Sequence, residues 1–336
     1  MIRRLFATAF VLAGGAALLV VAWPQLFSLE RSAGIAQLVS LRGTAIAVAT
    51  LLLVTLLLIA LASRTARRFT ATFAVLLLGF ILLSGAVVAS RGLGNPAFET
   101  RGDNDVTVLT WNTLGDAPGA EAIAGLAVDT GADVISLPET TEAAGIAIAG
   151  LMRDAGKPMW VHTVAYDQIS KARSTTLLIS AALGAYEVSE QRTTSVLPTV
   201  IATSVDGSGP TIIAVHAVAP IPGQMQNWRD DLSAIAAACT GDNIIMAGDF
   251  NATTDHFSGL AVDAETTLGQ CLSADTASQN ASVGTWPTFA PALLGAPIDH
   301  VMNTPNWRVS GMRVIQTHDG YGSDHRPIVA QLTPAG

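Results

Sequence analysis

Charged residues are scarce in this chain of 336 residues, and lysine is the rarest of them. Only 13% of the residues are charged, 50% are hydrophobic, and the lysines are Lys157 and Lys171. A formal net charge of −8 with so few lysines disfavours a nucleic-acid-binding protein, because phosphate contacts need clustered basic side chains. The abundance of apolar residues excludes a disordered chain and predicts that part of the protein lies in a membrane.

The first 90 residues contain three long runs without charge. They are residues 5–23, 43–62 and 69–89, each near the roughly 20 residues that a helix needs to cross a bilayer. We therefore predict a membrane anchor of three transmembrane helices over residues 1–90. A cleaved signal peptide is the alternative for the first run, because a basic N-terminus followed by an apolar stretch fits that interpretation as well.

Arginines flank these runs on one side. Arg3 and Arg4 precede the first run, and Arg64, Arg67 and Arg68 lie between the second and the third. The positive-inside rule then places the N-terminus in the cytoplasm and the C-terminal region outside the cell membrane. Because the runs contain no Asp, Glu, Lys or His, they offer no ion pathway, which disfavours a transporter. The lipid bilayer is the expected partner, and no motif indicates a protein partner.

Residues 91–336 differ from the anchor in charge and composition. They hold eleven basic and 25 acidic residues, a net charge of −14. Residues 91–105 have the Gly, Pro and charged composition of a linker, and residues 106–336 form one predicted domain. Cys239 and Cys271 can form a disulfide in an oxidising compartment, although two buried thiols fit the sequence nearly as well.

Short runs rich in Val, Ile and Thr recur through that domain. They predict strands at residues 106–110, 134–137, 175–179, 199–204, 211–215, 244–247, 309–315 and 328–332. Helical spacing predicts helices at residues 121–130, 140–154 and 225–239. Because several strands are too close in sequence for crossover helices, the pattern predicts an α/β fold with mixed sheets.

Polar residues that can carry out chemistry lie near the ends of these runs. They are Asn112, Glu139, His216, Asp249, Asn251, Asp299, Asp324 and His325. Each has a structural explanation by itself, as a turn former, a helix cap or a core histidine. Because α/β proteins bind ligands at strand ends, their joint occurrence favours one shared site.

Together these residue types match the hydrolysis of phosphate esters. A hard divalent cation needs oxygen ligands, for which Glu139 is the natural candidate. His325 has a suitable ordinary pKa to deprotonate water if Asp299 orients its ring. Asn251 and His216 can donate hydrogen bonds to the non-bridging phosphate oxygens.

The order of these motifs resembles the endonuclease/exonuclease/phosphatase superfamily, which includes deoxyribonucleases, abasic-site endonucleases, neutral sphingomyelinases and inositol-polyphosphate 5-phosphatases. The most specific part is Gly248-Asp249-Phe250-Asn251 followed downstream by Ser323-Asp324-His325, and the resemblance covers residues 106–332. It implies a four-layer sandwich of two mixed β-sheets with helices outside. It also implies Mg²⁺-dependent hydrolysis by in-line attack of water, with Mn²⁺ as an alternative metal.

The resemblance also implies roles for five catalytic residues. Asp249 and Asn251 would position the nucleophile and stabilise the pentavalent phosphorus. His216 would bind the scissile phosphate, and Asp299 would orient His325. Whether His325 or Asp249 accepts the proton stays open at this point.

Metal and substrate residues follow from the same comparison. Asn112 and Glu139 would form the metal-side pair, with Asp324 as a further metal or supporting carboxylate. Trp286, Trp228 and His256 are candidate substrate-binding residues, with a place in the core as the alternative.

The anchor and the acidic domain together favour a lipid or envelope-associated phosphoester as substrate. A tethered site meets such molecules at high local concentration, whereas long polyanions would be repelled. An extracytoplasmic endonuclease or exonuclease is the first alternative. A non-catalytic membrane-anchored binding module is the second, although no residue of the motifs is lost.

Overall fold

The computed structural model describes residues 2–167 and 169–335, so Met1, Gln168 and Gly336 of the predicted segments lie outside the described residues. The helices of the N-terminal region are α1 (Ile2–Ala22), α2 (Ile35–Ser40), α3 (Arg42–Ala62) and α4 (Arg67–Arg91). By length and composition, α1, α3 and α4 can each cross a membrane, as the sequence predicted.

Two of these helices extend one or two residues beyond the predicted apolar runs, because arginines occupy their ends. Arg42 and Arg67 begin α3 and α4, and Arg91 ends α4. A charged side chain ends an apolar run without ending the helix, since its long stem can carry the charge to water or to a partner.

Two mixed sheets make up the rest of the molecule. In the part of the chain that the structure describes, they contain twelve strands: β1 (Val106–Thr110), β2 (Val134–Pro138), β3 (Met159–Ala165), β4 (Ser174–Ser180), β5 (Tyr186–Val188), β6 (Val200–Ser204), β7 (Thr211–His216), β8 (Ile244–Asp249), β9 (Leu272–Ser273), β10 (Asp299–Asn303), β11 (Trp307–Val314) and β12 (Ile328–Pro334). The first sheet has the order β11-β12-β1-β2-β4-β3 and the second β5-β6-β7-β8-β10-β9. Parallel pairing joins β1 to β2 and β7 to β8, and the other neighbours are antiparallel.

The sheets face each other, and helices cover their outer faces. These helices are α5 (Ala120–Thr130), α6 (Glu142–Asp154) and α7 (Met225–Ala238), whereas Ala274 of the short α8 (Ala274–Ala277) packs into the core between the sheets. Val108 and Val134 of the first sheet pack with Ala214 and Ile245 of the second in a fully buried core. Apolar clusters join α5 and α6 to the first sheet and α7 to the second. This four-layer α/β sandwich confirms the predicted fold class.

All eight predicted strands and three predicted helices of this region are present, and four strands were missed. Three of those, β3, β5 and β9, are edge strands, which lack the fully apolar pattern of central strands. The fourth, β10, opens with the polar pair Asp299-His300. The second predicted helix begins at Glu142 because Thr141 caps it, its hydroxyl accepting a hydrogen bond from the Ala144 amide at 3.3 Å.

The N-terminal helices are fixed to the sandwich by an ion cluster around the buried Asp255. Its carboxylate accepts hydrogen bonds from Arg42 Nη2 at 2.8 Å, Arg91 Nη1 at 2.7 Å and Gln25 Nε2 at 2.9 Å. Burial raises the pKa of the Asp255 carboxyl, but the two guanidinium groups outweigh it and hold the pKa well below its usual range. Side chains from after α1, from the start of α3 and from the end of α4 therefore converge on one residue of the sandwich.

Close backbone approaches reinforce this contact. A Cβ atom at Gly43 would overlap with the carbonyl oxygen of Leu293, so the start of α3 can lie against the sandwich only because residue 43 is glycine. The predicted linker contains one bridge, between Phe98 and Gly311, and otherwise no helix or strand after Arg91. A disulfide joins Cys239 to Cys271, which resolves the alternative that the sequence left open.

Candidate active site

A cavity of about 420 Å³ opens where the central strands of both sheets end. β1 and β2 run into Asn112 and Glu139, β7 and β8 finish on His216 and Asp249, and the antiparallel β10 starts there with Asp299. The carboxyl ends of parallel strands meet at one edge of a sheet, which is why residues distant in sequence come together. The polar lining residues that the sandwich contributes include Asn112, Glu139, His216, Asp249, Asn251 and His325.

Local backbone geometry aims several of these side chains. Glu139 and Asn251 have left-handed conformations, with φ of 59° and 48°. Non-glycine residues in this region are uncommon, and they concentrate at functional sites. A Cβ atom at Gly248 would overlap with the carbonyl oxygen of Val215, so the glycine that opens the Gly-Asp-Phe-Asn motif lets β8 lie against β7.

Asp249 lies at the centre of the hydrogen-bond network. Its Oδ2 accepts from Asn112 Nδ2 at 3.0 Å and from Asn251 Nδ2 at 3.1 Å, and its Oδ1 accepts from the Asn251 amide at 2.8 Å. Burial raises the pKa of Asp249, the charge of His325 opposes that shift, and the carboxylate of Asp299 adds to it. The raised pKa makes Asp249 a better proton acceptor than an ordinary aspartate.

His325 and Asp299 form a buried pair beside it. His325 Nδ1 donates a hydrogen bond to Asp299 Oδ2 over 2.9 Å, and its Nε2 lies 3.8 Å from Asp249 Oδ2. Burial alone would lower the pKa of His325, but the carboxylates of Asp299 and Asp249 outweigh it and raise the pKa above its ordinary value. The predicted orienting contact between Asp299 and the histidine ring is thus present in the geometry, and the ring has a fixed direction.

The same residues fit a divalent cation. Ligand atoms of Asp249, Asp299 and His325 all lie within 4.8 Å of one another. Asp299 Oδ1 is buried and accepts no hydrogen bond within the described residues. This carboxylate oxygen is therefore free to coordinate a metal ion. Buried carboxylate oxygens beside an imidazole suit a hard or borderline divalent metal.

Two of the predicted metal ligands, Asn112 and Asp324, make other contacts at the site. The Asn112 carbonyl oxygen accepts from the Leu114 amide at 3.0 Å, and its amino group donates to Glu139 Oε1 at 3.2 Å. Asn112 is therefore a bridge between the carboxylates of Glu139 and Asp249, and its role as a metal ligand stays a prediction. Asp324 is not one of the three clustered residues. Its Oδ2 accepts from Trp286 Nε1 at 2.8 Å, and its Oδ1 lies 4.0 Å from His325 Nε2, so its role as a further carboxylate also stays a prediction. Glu139 lines the cavity, and burial raises its pKa.

The two residues that were predicted to donate hydrogen bonds to phosphate differ in whether they have a free N–H group. Asn251 Nδ2 donates to Ala217 O at 2.9 Å as well as to Asp249, so both of its N–H groups are engaged. Asn251 here holds Asp249 in place, and its predicted phosphate contact is not available without rearrangement. Burial, with the nearby charge of His325, lowers the pKa of His216 to about 3, so its ring is neutral at pH 7. A neutral imidazole can still donate one hydrogen bond into the cavity.

Among the predicted substrate-binding residues, only Trp286 lines the cavity. Trp228 is fully buried on α7, where its indole donates to Asn251 O at 3.0 Å. His256 is also fully buried, and its Nε2 lies 3.2 Å from Ala36 O. Both predictions of direct substrate contact are wrong, because these two rings pack against each other under the motif loop, 5.1 Å apart. The sequence had offered this core position as the alternative.

Sequence reasoning missed one group of cavity residues altogether. Gln37, Ser40 and Leu41, which join α1 to α3, line the cavity together with the catalytic candidates. The first 90 residues had been interpreted as an anchor only. The polar Gln37 and Ser40 between two apolar runs were the one available signal.

A four-layer sandwich with a His–Asp pair beside buried carboxylates defines a class of metal-dependent phosphoester hydrolases. The sequence model of the Endonuclease/Exonuclease/phosphatase family matches residues 109–325, and the chain belongs to this family. The protein is accordingly a metal-dependent hydrolase that acts on phosphoester bonds. No curated protein sequence matches the chain.

Solved structures share the fold at low sequence identity. An endonuclease/exonuclease/phosphatase from Beutenbergia cavernae superposes with a TM-score of 0.53 at 17% identity, covering 69% of this chain and 72% of its own. D. rerio TDP2, complexed with a single-strand DNA product, gives 0.51 at 16% identity over 69% and 100%. A family protein from Leptotrichia buccalis gives 0.51 at 13% identity over 68% and 99%. These similarities are evidence for the fold alone.

Proposed function

We propose that this protein is a membrane-anchored, divalent-metal-dependent phosphoesterase that hydrolyses a lipid or envelope-associated substrate by in-line attack of water. The observation that carries the proposal is the mixed character of the cavity. Its base holds the carboxylates and imidazoles, and its walls are apolar, with Leu197, Ile221, Trp286 and Ile298 among them. None of the lining residues that the structure describes is Lys or Arg. A long polyanion would find no cationic contacts here, whereas an amphipathic phosphoester matches both surfaces.

The position of the sandwich beside the anchor supports a membrane substrate. Thr44 Oγ1, near the start of α3, donates to Leu294 O at 2.7 Å. On the same segment Phe289 is 89% exposed and Leu293 is 44% exposed. Exposed aromatic and aliphatic side chains next to the start of an apolar helix are suited to contact with lipid.

The distribution of arginines supports an extracytoplasmic catalytic domain. Arg42 and Arg91 contact the sandwich, and Arg64, Arg67 and Arg68 lie at the opposite ends of α3 and α4. If both helices span, the positive-inside rule assigns the three clustered arginines to the cytoplasm and the sandwich to the other side. The disulfide agrees with that assignment, because disulfides persist in oxidising compartments.

The residues of the cavity divide the chemistry among them. Asp249, Asp299 and Glu139 are the oxygen candidates to hold Mg²⁺ or Mn²⁺, which when bound would polarise the phosphoryl group and stabilise its developing charge. Asp299 keeps the His325 ring oriented, so that its Nε2 side faces the cavity and Asp249. With Nδ1 engaged by Asp299, the free nitrogen of an unprotonated His325 can either join the metal ligands or accept the proton of the attacking water, and Asp249 is the other candidate acceptor. His216 supplies a neutral donor for a phosphate oxygen.

Hydrolysis by the full-length protein in detergent tests the proposal. The substrates are bis-p-nitrophenyl phosphate, p-nitrophenyl phosphate, phospholipid and plasmid DNA, each with Mg²⁺ or Mn²⁺ and with chelator. We expect metal-dependent turnover of a phospholipid or a small phosphoester that is lost in His325→Ala and kept in His162→Ala, whose histidine does not line the cavity. Plasmid DNA degraded as fast as the other substrates would favour the extracytoplasmic nuclease instead. No turnover of any of them by a folded, metal-loaded protein would favour the binding module.

A further inference from the structure

We infer that the connecting segment, residues 23–41 between α1 and α3, forms a substrate-binding wall that selects phosphodiesters with a long apolar chain. The inference rests on the proposed function and extends it from the catalytic groups to the choice of substrate. Leu41 is its specificity-determining residue. In this view the membrane anchor is part of the active site as well as a tether.

The cavity combines residues from both parts of the chain. Gln37, Ser40 and Leu41 of the connecting segment line it together with His325 and Asp249. Leu41 directly precedes α3, whose apolar length suffices to cross a bilayer. A chain that binds against Leu41 therefore lies beside the beginning of an apolar helix, where hydrocarbon of the substrate can continue along hydrocarbon of the membrane.

The connecting segment is held firmly against the catalytic domain. The Gln37 amide donates to the carbonyl oxygen of Pro220, which is itself a cavity residue. Arg31 Nη1 donates to the carbonyl oxygens of His256 and Ser258, each at 2.6 Å. Ala36 is fully buried in the apolar cluster of α7. A segment with polar and apolar contacts of this kind is a built surface, and it keeps its shape when substrate arrives.

The lining of this wall indicates the chemistry that it recognises. Leu41, Pro220 and Ile221 are apolar lining residues of the cavity, and Gln37 and Ser40, the polar residues with which the wall lines it, are uncharged. A second phosphate or a sugar on the substrate would add little binding free energy at such a surface. Each methylene group that the surface removes from water would add to the binding free energy.

Two phosphodiesters with the same leaving group test the inference on the full-length protein in detergent micelles. They are methyl p-nitrophenyl phosphate and hexadecyl p-nitrophenyl phosphate, which differ only in chain length. We expect Leu41→Asn to lower kcat/KM for the hexadecyl ester by about tenfold or more and to change that for the methyl ester by less than about twofold. The matched control is Leu38→Asn on α2 in the same connecting segment, where the leucine is 50% exposed and does not line the cavity. It should leave both values unchanged.

Three results would overturn the inference about the connecting segment. An equal loss for both esters, or no loss for either, overturns the inference, and so does a wild-type protein that shows no preference for the long chain. Those results leave the phosphoesterase proposal standing as long as the methyl ester is cleaved. If neither ester is cleaved with Mg²⁺ or Mn²⁺, the inference falls, and turnover of p-nitrophenyl phosphate or phospholipid decides whether the phosphoesterase proposal falls with it. Leu41→Met serves as the second variant, because it keeps the apolar volume and should retain the preference even if Leu41→Asn does not fold.

Discussion

Asp249 and Asp299 lie directly opposite each other on adjacent antiparallel strands, β8 and β10. Residues that are cross-strand partners point to the same face, so both carboxylates reach the same end of the cavity. His325 arrives from the segment before β12 and contacts Asp299 at 2.9 Å. The geometry of the site therefore follows from strand pairing, and its side chains act as a unit.

The contact between Asp299 and His325 should control turnover. Asp299→Asn removes the negative charge that fixes and stabilises the histidine ring, and we expect kcat to fall by about 10²-fold or more. Combining it with His325→Ala should add little, because the two residues act on the same step. Steady-state kinetics on a p-nitrophenyl phosphodiester provide the measurement, with His162→Ala as a control. An Asp299→Asn protein that keeps half of the wild-type kcat would contradict the role of Asp299 in orienting His325.

The ion cluster at Asp255 should stabilise the contact between anchor and sandwich in a pH-dependent way. Its folded-state pKa lies below the roughly 3.9 of an unfolded chain, so the stabilisation is present above about pH 4 and is lost as the pH falls further. Asp255→Asn leaves the buried Arg42 and the partly buried Arg91 without their counter-charge and should cost about 3–5 kcal/mol at pH 7.

Thermal unfolding in detergent at several pH values measures this effect. The difference in the free energy of unfolding between wild type and Asp255→Asn should be large at pH 7 and should decrease below pH 4. Asp154→Asn is the matched control, since its pair with Arg153 is exposed and should matter little. A difference that stays constant from pH 7 to pH 3 would show that charge at Asp255 is not its source.

Glu139 should contribute to metal affinity from its strained position after β2. Replacing its carboxylate by an amide in Glu139→Gln keeps the size and removes the charge, so the Mg²⁺ concentration for half-maximal activity should rise by about tenfold or more. The control is Glu142→Gln at the exposed start of α6. Calorimetric titration with Mn²⁺ gives an independent reading. Equal metal affinities in wild type and Glu139→Gln would show that the Glu139 carboxylate does not contribute to metal binding.

The disulfide should be intact in protein isolated without reductant. Alkylation under denaturing conditions should modify Cys239 and Cys271 only after reduction, and the mass shift reports this directly. Reduction opens a cross-link between residues 32 apart and should lower stability by about 3–4 kcal/mol. Free thiols in freshly isolated protein would argue against the extracytoplasmic placement.

The sequence was sufficient for the fold class and for the residues of the cavity base. Strand ends can be read from short apolar runs, and parallel strands bring their ends together, so Glu139, His216 and Asp249 could be grouped without coordinates. The orientation of the Asn112 amide could not be predicted, because it depends on the Leu114 backbone and two carboxylates at once.

The contribution of the anchor to the cavity lay beyond sequence reasoning for a different reason. Gln37 meets Pro220 across 183 positions of the chain, and no periodicity or motif encodes such a contact. The two interpretations of Trp228, core and pocket wall, came from helical phase and from motif context, and helical phase was the right guide. The motif context suggested the pocket, whereas the apolar face of α7 turns this ring inward.

Opposed carboxylates at Asp249 and Asp299 also have a consequence for folding. Like charges placed directly across a sheet repel, and only His325 offsets them within the described protein. A divalent cation that binds there would relieve this repulsion and, by mass action, favour the native state. Added Mg²⁺ or Mn²⁺ should therefore raise the melting temperature of wild type, and much less that of Asp299→Asn. The enzyme would then be most robust in the compartment where its metal is plentiful, so that ion supply governs its lifetime as well as its rate.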